Sequence, residues 1–415
     1  MSDAPERRDR QPKIKIAEYL QQVRSLAERF AIQEREEVEL AAARGRVLAE
    51  AITAGVDIPG FANSAMDGYA VRAADLEEVP ARLRIVGEQP AGPARDVAVG
   101  AGEAVRIMTG APLPAGADTV VQSELTEEDD GQVVIGEAVR PGANVRHPGE
   151  DVSSGETVLV QGTRLAGRQL SAAAAVGTSR VQVVRQPVLG VLSTGDELVP
   201  PGGVLAPGQI YESNSYLLAG LAEESGARVI RRHAVADRPE ELAVVLDELT
   251  SQCDAVLLSG GVSVGRFDVV RNLLDGEAES TFHRVSLQPG KPQGYAVWKG
   301  TPLLAFPGNP VGAFISFHVF GRPFIRTLTG QVNPQTPRRQ IRAGASWKSP
   351  QGRSQYVPGR VRLNAAGQVV FEPTSAHGSG SHLVATLAQA SALCVIPADV
   401  EFVQAGQLVD VEDIL

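Results

Sequence analysis

Cysteine is nearly absent: Cys253 and Cys394 are the only two in 415 residues. That excludes a disulfide framework and a cysteine-caged zinc, both of which need clusters at set spacing. The six histidines are scattered, without the short repeats of a metal-ligand motif. Aromatic residues make up 5% of the chain, and no apolar run approaches the length of a membrane-spanning helix. Residues 1–11 are polar and lack a signal-peptide core, so the expected location is cytoplasmic, with no membrane partner. Positive charge is also short, 39 Lys and Arg against 49 Asp and Glu, for a net charge of −10. A general nucleic-acid binder needs the opposite balance, so no nucleic-acid partner is expected.

Glycine and proline are plentiful, 43 and 27, as expected of many turns and several β-rich modules. Ile16, Leu20, Val23, Ala27 and Phe30 form a helical stripe, and residues 38–44 read as a second helical piece stopped by Gly45. Between residues 51 and 151 short strands, glycines and prolines dominate, and an Ala-rich helix is expected over 169–176. From Pro187 the rhythm becomes strand, loop, helix. Strands are expected at 188–192, 228–233, 255–258, 284–287, 293–298 and 301–306, and helices at 214–224, 239–249, 267–274 and 311–328. Such a βαβ series builds a parallel sheet, which binds ligands beyond the carboxyl ends of its strands. Residues 330–338 read as a linker, and the remainder as a small β-barrel or sandwich.

Four loops fall at that end of the expected sheet: 193–197, 259–268, 288–292 and 307–310. In Ser259-Gly-Gly-Val-Ser-Val-Gly265 the glycines allow close backbone approach to an anion, next to a helix start. Glu197 and Asp268, taken singly, read as helix caps or surface acids. Together at two strand ends they suit a hydrated Mg²⁺ held through one or two carboxylates and substrate phosphates. Lys291, pinned within Pro289-Gly-Lys-Pro292, suits contact with an anion. Neither a Walker A sequence nor a nucleophile elbow is present, so the residues point to an enzyme or binder for a phosphorylated ligand with a divalent metal.

Seven stretches in order carry a resemblance: Ser64-Ala-Met-Asp-Gly-Tyr-Ala70, Arg106-Ile-Met-Thr-Gly-Ala111, Gly149-Glu-Asp151, Ser193-Thr-Gly-Asp-Glu-Leu198, Ser259 to Gly265, Pro289 to Pro292, and Pro307-Gly-Asn-Pro310. By these the chain resembles the molybdopterin molybdenumtransferase (MoeA) family, to which the C-terminal domain of gephyrin is related. The resemblance implies a multidomain α/β and β fold. A dimerisation domain would span 13–52 plus 153–186, and a β-rich insertion 53–152. A molybdopterin-binding-like α/β domain would span 187–330, and a small β-barrel 331–415. It implies a homodimer with the site shared between subunits. The implied substrates are adenylyl-molybdopterin and molybdate, the products AMP and molybdenum cofactor, with Mg²⁺ present. A molybdopterin adenylyltransferase and apo-molybdoenzymes are the implied partners.

Carried over by position, Asp67, Thr109, Asp151, Glu197, Asp237, Asp268 and Lys291 are the expected catalytic residues, with Glu197 and Asp268 on the metal. Expected ligand contacts are Ser193, Thr194, Gly195, Asn214, Ser259, Gly260, Gly261, Ser263 and Gly265, then Pro307, Gly308, Pro310, Arg353 and Ser379. Three departures stand out. Gln288 replaces a lysine usual in the family, so Gln288→Lys is expected to raise molybdate affinity. Asp237 is followed by Arg238 where a second acid is usual, and Gly352-Arg-Ser-Gln-Tyr-Val-Pro358 lacks the usual acid and second arginine. These losses motivate an alternative reading: a slow or non-catalytic paralogue that carries the pterin nucleotide or finished cofactor.

Overall fold

The computed structural model describes residues 13–262, 268–275, 279–375 and 383–414. They form two compact units, one of Met1–Glu36, Gly45–Val47 and Val183–Leu415, the other of Glu37–Arg44 and Leu48–Gln182. Among the described residues no helix is long and apolar enough to cross a membrane.

The second unit is built on a six-stranded sheet in the order Thr119–Gln122, Gly68–Val71, Glu103–Ile107, Ala81–Gln89, Gln132–Ile135, Thr126–Asp129. Alternation divides its core, with Ala70, Val105 and Val120 in one cluster and Tyr69, Ala104 and Val121 in another. Gly68 is obligatory, because a Cβ there would lie 1.9 Å from the Val121 carbonyl oxygen. The expected helix at 38–44 is corrected: Arg35–Glu39 is a strand, followed by a short 3-10 turn at Leu40–Ala42. Glu37 and Glu39 alternate on one face and both pair with Arg180, which a helix would not allow. The Ala-rich helix forms at Gly167–Ala175.

The first unit holds a six-stranded sheet in the order Arg228–Arg231, Val188–Ser193, Ala255–Ser259, Thr301–Phe306, Pro292–Trp298, Ser280–Arg284. Its first four strands are parallel, while Pro292–Trp298 pairs antiparallel with both its neighbours, so the sheet is mixed rather than wholly parallel. The reason lies in loop length: Trp298 reaches Thr301 through a tight turn, whereas a parallel connection needs a crossover of a dozen or more residues. The expected strand at 284–287 divides, Ser280–Arg284 staying in this sheet and Leu287–Gln288 joining the barrel. Both faces of the central strand are covered, Ala255 and Leu257 packing with Tyr19, Leu218 and Phe306, Val256 and Leu258 with Leu242, Leu246 and Val270. Each such leucine contributes about 2 kcal/mol by leaving water. The helix Ile16–Arg29 buries Tyr19, Val23, Leu26 and Ala27, the stripe seen in the sequence.

The expected helix over 311–328 has a wide turn in it: Pro310–Ser316 leads through a π-helical segment, Phe317–Gly321, into Arg322–Leu328. That segment carries buried His318 to the C-terminal module. A guanidinium only donates, so His318 Nδ1 accepts from Arg322 (3.3 Å) and Nε2 donates to Glu412 (2.7 Å). The C-terminal module is a closed barrel: Ser354–Leu363, Val369–Pro373, Arg338–Ala343, Leu408–Asp413 and Ala392–Ile396, the last pairing back to the first.

Candidate active site

The parallel strands Val188–Ser193, Ala255–Ser259 and Thr301–Phe306 end side by side, Ser193 opposite Ser259 and Ser259 opposite Phe306. The antiparallel strand Pro292–Trp298 begins at that same end, so residues 288–291 arrive there too. Described residues of all four loops therefore line one cavity of about 900 Å³, within the size range of ligand sites.

Ser193, Thr194 and Gly195 form one wall, Ser259, Gly260 and Gly261 another, and Pro307, Gly308 and Pro310 a third. Gly260 adopts φ +99°, and a Cβ there would meet the Thr194 carbonyl oxygen at 2.5 Å, so only glycine fits. Its amide is already committed to the Phe306 carbonyl (3.1 Å), which removes it from the phosphate cradle that the loop suggests. Asn214 lies at the start of the helix Asn214–Glu224 and donates to Ser259 Oγ (2.8 Å) and the Gly308 carbonyl (2.6 Å), tying two walls together. Asn214 Oδ1 and Thr194 Oγ1 are buried without a hydrogen-bond partner among the described residues.

Glu197, Asp237, Asp268 and Lys291 line the same cavity. Burial raises the Asp237 carboxyl above its ordinary range, and the charges of Asp196, Glu197 and Asp268 push it further. Three acids thus act on Asp237, and two of them, Glu197 and Asp268, line the same cavity. Among the described residues no three carboxylate, histidine or cysteine groups converge closely enough to cage a metal. That donor set fits a cation that takes one or two carboxylates and fills its other positions with water and ligand oxygens, as Mg²⁺ does.

Asp67, Thr109 and Asp151 lie in the other unit. Gly68 pairs with Ile107, which brings Asp67 beside residues 108–109. Its Oδ1 accepts from the Thr109 amide (2.6 Å) and hydroxyl (2.8 Å), and these bonds hold its carboxyl below the usual range. Asp151 is exposed, and its amide donates to the Ile58 carbonyl (2.9 Å); no described contact joins it to Asp67 or Thr109. Arg353 touches the cavity through Gln288, whose Oε1 accepts from its Nη1 at 2.6 Å. Ser263, Gly265 and Ser379 lie outside the described residues.

Two residues of the site escaped the sequence reading. Glu212, 4% exposed, accepts from Ser193 Oγ (2.9 Å) and from the amide and hydroxyl of Ser215 (2.7 Å each). It does the capping that Ser213 or Asn214 would be expected to do, and an acid just ahead of a helix start was the available signal. Gln293, fully buried, donates to the Gly290 carbonyl and to Ser316 Oγ (2.6 Å each), anchoring the loop of Lys291.

Residues 14–177 match the family described as MoeA N-terminal region (domain I and II). Residues 190–327 match the probable molybdopterin binding domain, and 340–414 the MoeA C-terminal region (domain IV). A molybdopterin molybdenumtransferase 2 from Mycobacterium tuberculosis is 39% identical over 91% of this chain and 94% of its own length. A molybdopterin molybdenumtransferase from Haemophilus influenzae is 36% identical over 91% and 93%. The solved molybdopterin biosynthesis moeA protein of Pyrococcus horikoshii OT3 superposes with a TM-score of 0.79 at 28% identity, covering 97% of this chain and 100% of that one.

Proposed function

This chain belongs to the molybdopterin molybdenumtransferase (MoeA) family, and from that premise we propose that it joins molybdate to adenylylated molybdopterin with release of AMP. The work falls within molybdenum cofactor biosynthesis. One observation carries the finer reading: acids, Lys291 and glycine-lined walls converge on a single cavity large enough for a nucleotide.

Glu197 and Asp268 would hold Mg²⁺, which when bound offsets phosphate charge beside otherwise repelling acids. Lys291 places its ammonium against the oxyanion or phosphate, on a loop anchored by Gln293. Asn214 and Thr194 offer unpartnered buried oxygens, which suit the N–H donors of a heterocycle. Asp67, held by Thr109, orients the incoming oxyanion or water from the β-rich unit, with Asp151 in support. In this reading a homodimer completes each site with the β-rich unit of its partner, and the protein works in the cytoplasm between a molybdopterin adenylyltransferase and apo-molybdoenzymes. The division into domains 13–52 plus 153–186, 53–152, 187–330 and 331–415 belongs to the same proposal.

Single-turnover AMP release from adenylylated molybdopterin is the test. Molybdate-dependent release that needs Mg²⁺ supports the enzyme. Tight binding of the pterin nucleotide with no AMP release, with or without molybdate, refutes it and favours the carrier.

A further inference from the structure

The cavity is lopsided in charge. Glu197, Asp237 and Asp268 line it, with Asp196 in electrostatic reach, whereas Lys291 is the one cation among its described lining residues. An anion entering such a cleft needs more positive charge than one lysine offers. The barrel brings it close. Leu287–Gln288 runs parallel to the start of Ser354–Leu363, with Leu287 opposite Ser354, and the Ser354 amide donates to the Ser286 carbonyl (2.9 Å). In this register Gln288 lies opposite Gln355, two residues past Arg353, within reach of the long arginine side chain. Gln288 lines the cavity, and its Oε1 accepts from Arg353 Nη1 at 2.6 Å. Arg353 makes no ion pair among the described residues, and its Nε is buried with no hydrogen-bond partner among them. A neutral amide oxygen takes one of the five guanidinium N–H groups without cancelling the charge.

We propose that Gln288 is a positioning residue that holds the Arg353 guanidinium at the cavity edge, so that the barrel supplies a second cation beside Lys291. The inference rests on the anion-binding reading of the cleft and names how this chain achieves it. A lysine at 288 could not do the same, because an ammonium has no acceptor for Arg353 and repels it. The proposal therefore predicts weaker anion binding for Gln288→Lys, opposite to the sequence expectation.

The test is AMP binding in the presence of Mg²⁺, by calorimetry at low and high salt, on wild type, Gln288→Ala, Gln288→Glu, Gln288→Lys, Arg353→Ala and the Gln288→Ala/Arg353→Ala double variant. Each single variant is expected to weaken binding about fivefold to tenfold, the loss of one charge-assisted contact. The double variant should be no more than about twofold weaker than Arg353→Ala, because the two act as a unit. Gln288→Glu keeps Arg353 in place while cancelling its charge, so it weakens binding without loosening the fold. Losses that multiply in the double variant, or tighter binding by Gln288→Lys, overturn the proposal alone. Absence of AMP binding by the wild type overturns it together with the anion-binding reading.

Discussion

Replacing Glu212 separates the cleft's architecture from its chemistry. Its Oε1 accepts two bonds, from Ser193 Oγ and the Ser215 amide, and its Oε2 accepts one from Ser215 Oγ. Glu212→Gln keeps an oxygen where two donors converge. Its amide nitrogen faces Ser215 Oγ, which already accepts from Arg231 and must find a new home for its own proton. One bond is lost, at a cost of about 1 kcal/mol. Glu212→Ala strands a buried backbone N–H and two buried hydroxyls. The Ser215 amide cannot turn away, and each unsatisfied group costs about 1–3 kcal/mol, so a total of about 3–5 kcal/mol is expected. The helix start that carries Asn214 then loses its cap, and with it the tie between Ser259 and Gly308. Urea unfolding measures the stability change, and AMP binding measures the consequence for the cleft. Glu212→Ala should weaken binding about tenfold, in step with the loss of the Asn214 tie, and Glu212→Gln less than threefold. A cost below about 1 kcal/mol for Glu212→Ala, or equal effects of the two variants, would refute the reasoning.

The raised Asp237 carboxyl makes folding in the absence of divalent cation less favourable as pH rises through its titration, a penalty absent in acid. Asp237→Asn should therefore raise Tm at neutral pH, by about 1–3 °C, and the advantage should fade as pH falls through the carboxylate range. Thermal melts at several pH values check this, and a pH-independent difference would contradict it. Gly260→Ala forces a Cβ against the Thr194 carbonyl at a positive φ and should destabilise the first unit by about 2–4 kcal/mol, read by urea unfolding. An unchanged midpoint would mean that the loop is free to move.

Much of the cleft is legible in the sequence because its parts are local. Strand-to-loop junctions at Ser193, Ser259 and Phe306 follow from apolar runs ended by glycine or proline, and a mostly parallel sheet must bring such ends together. What eluded the sequence depends on pairing between distant segments. Nothing in Arg35-Glu-Glu-Val-Glu39 announces its partner Arg180, so a strand that overlaps the expected helix at 38–44 is invisible in one dimension. The antiparallel turn at Trp298–Thr301 and the departure of Leu287–Gln288 to the barrel are likewise decided by tertiary pairing. Glu212 and Gln293 were hidden for a further reason: a polar residue whose partners are buried looks, in one dimension, like any surface residue.

Occupancy of the cleft by a divalent cation is the claim on which the rest turns, and Mn²⁺ reports it directly by electron paramagnetic resonance. In the presence of AMP, wild type should bind about one Mn²⁺ per chain, displaceable by Mg²⁺, through carboxylates and phosphate oxygens. Glu197→Ala and Asp268→Ala should each abolish that binding while leaving the fold intact. Unchanged Mn²⁺ affinity in both variants would contradict the account.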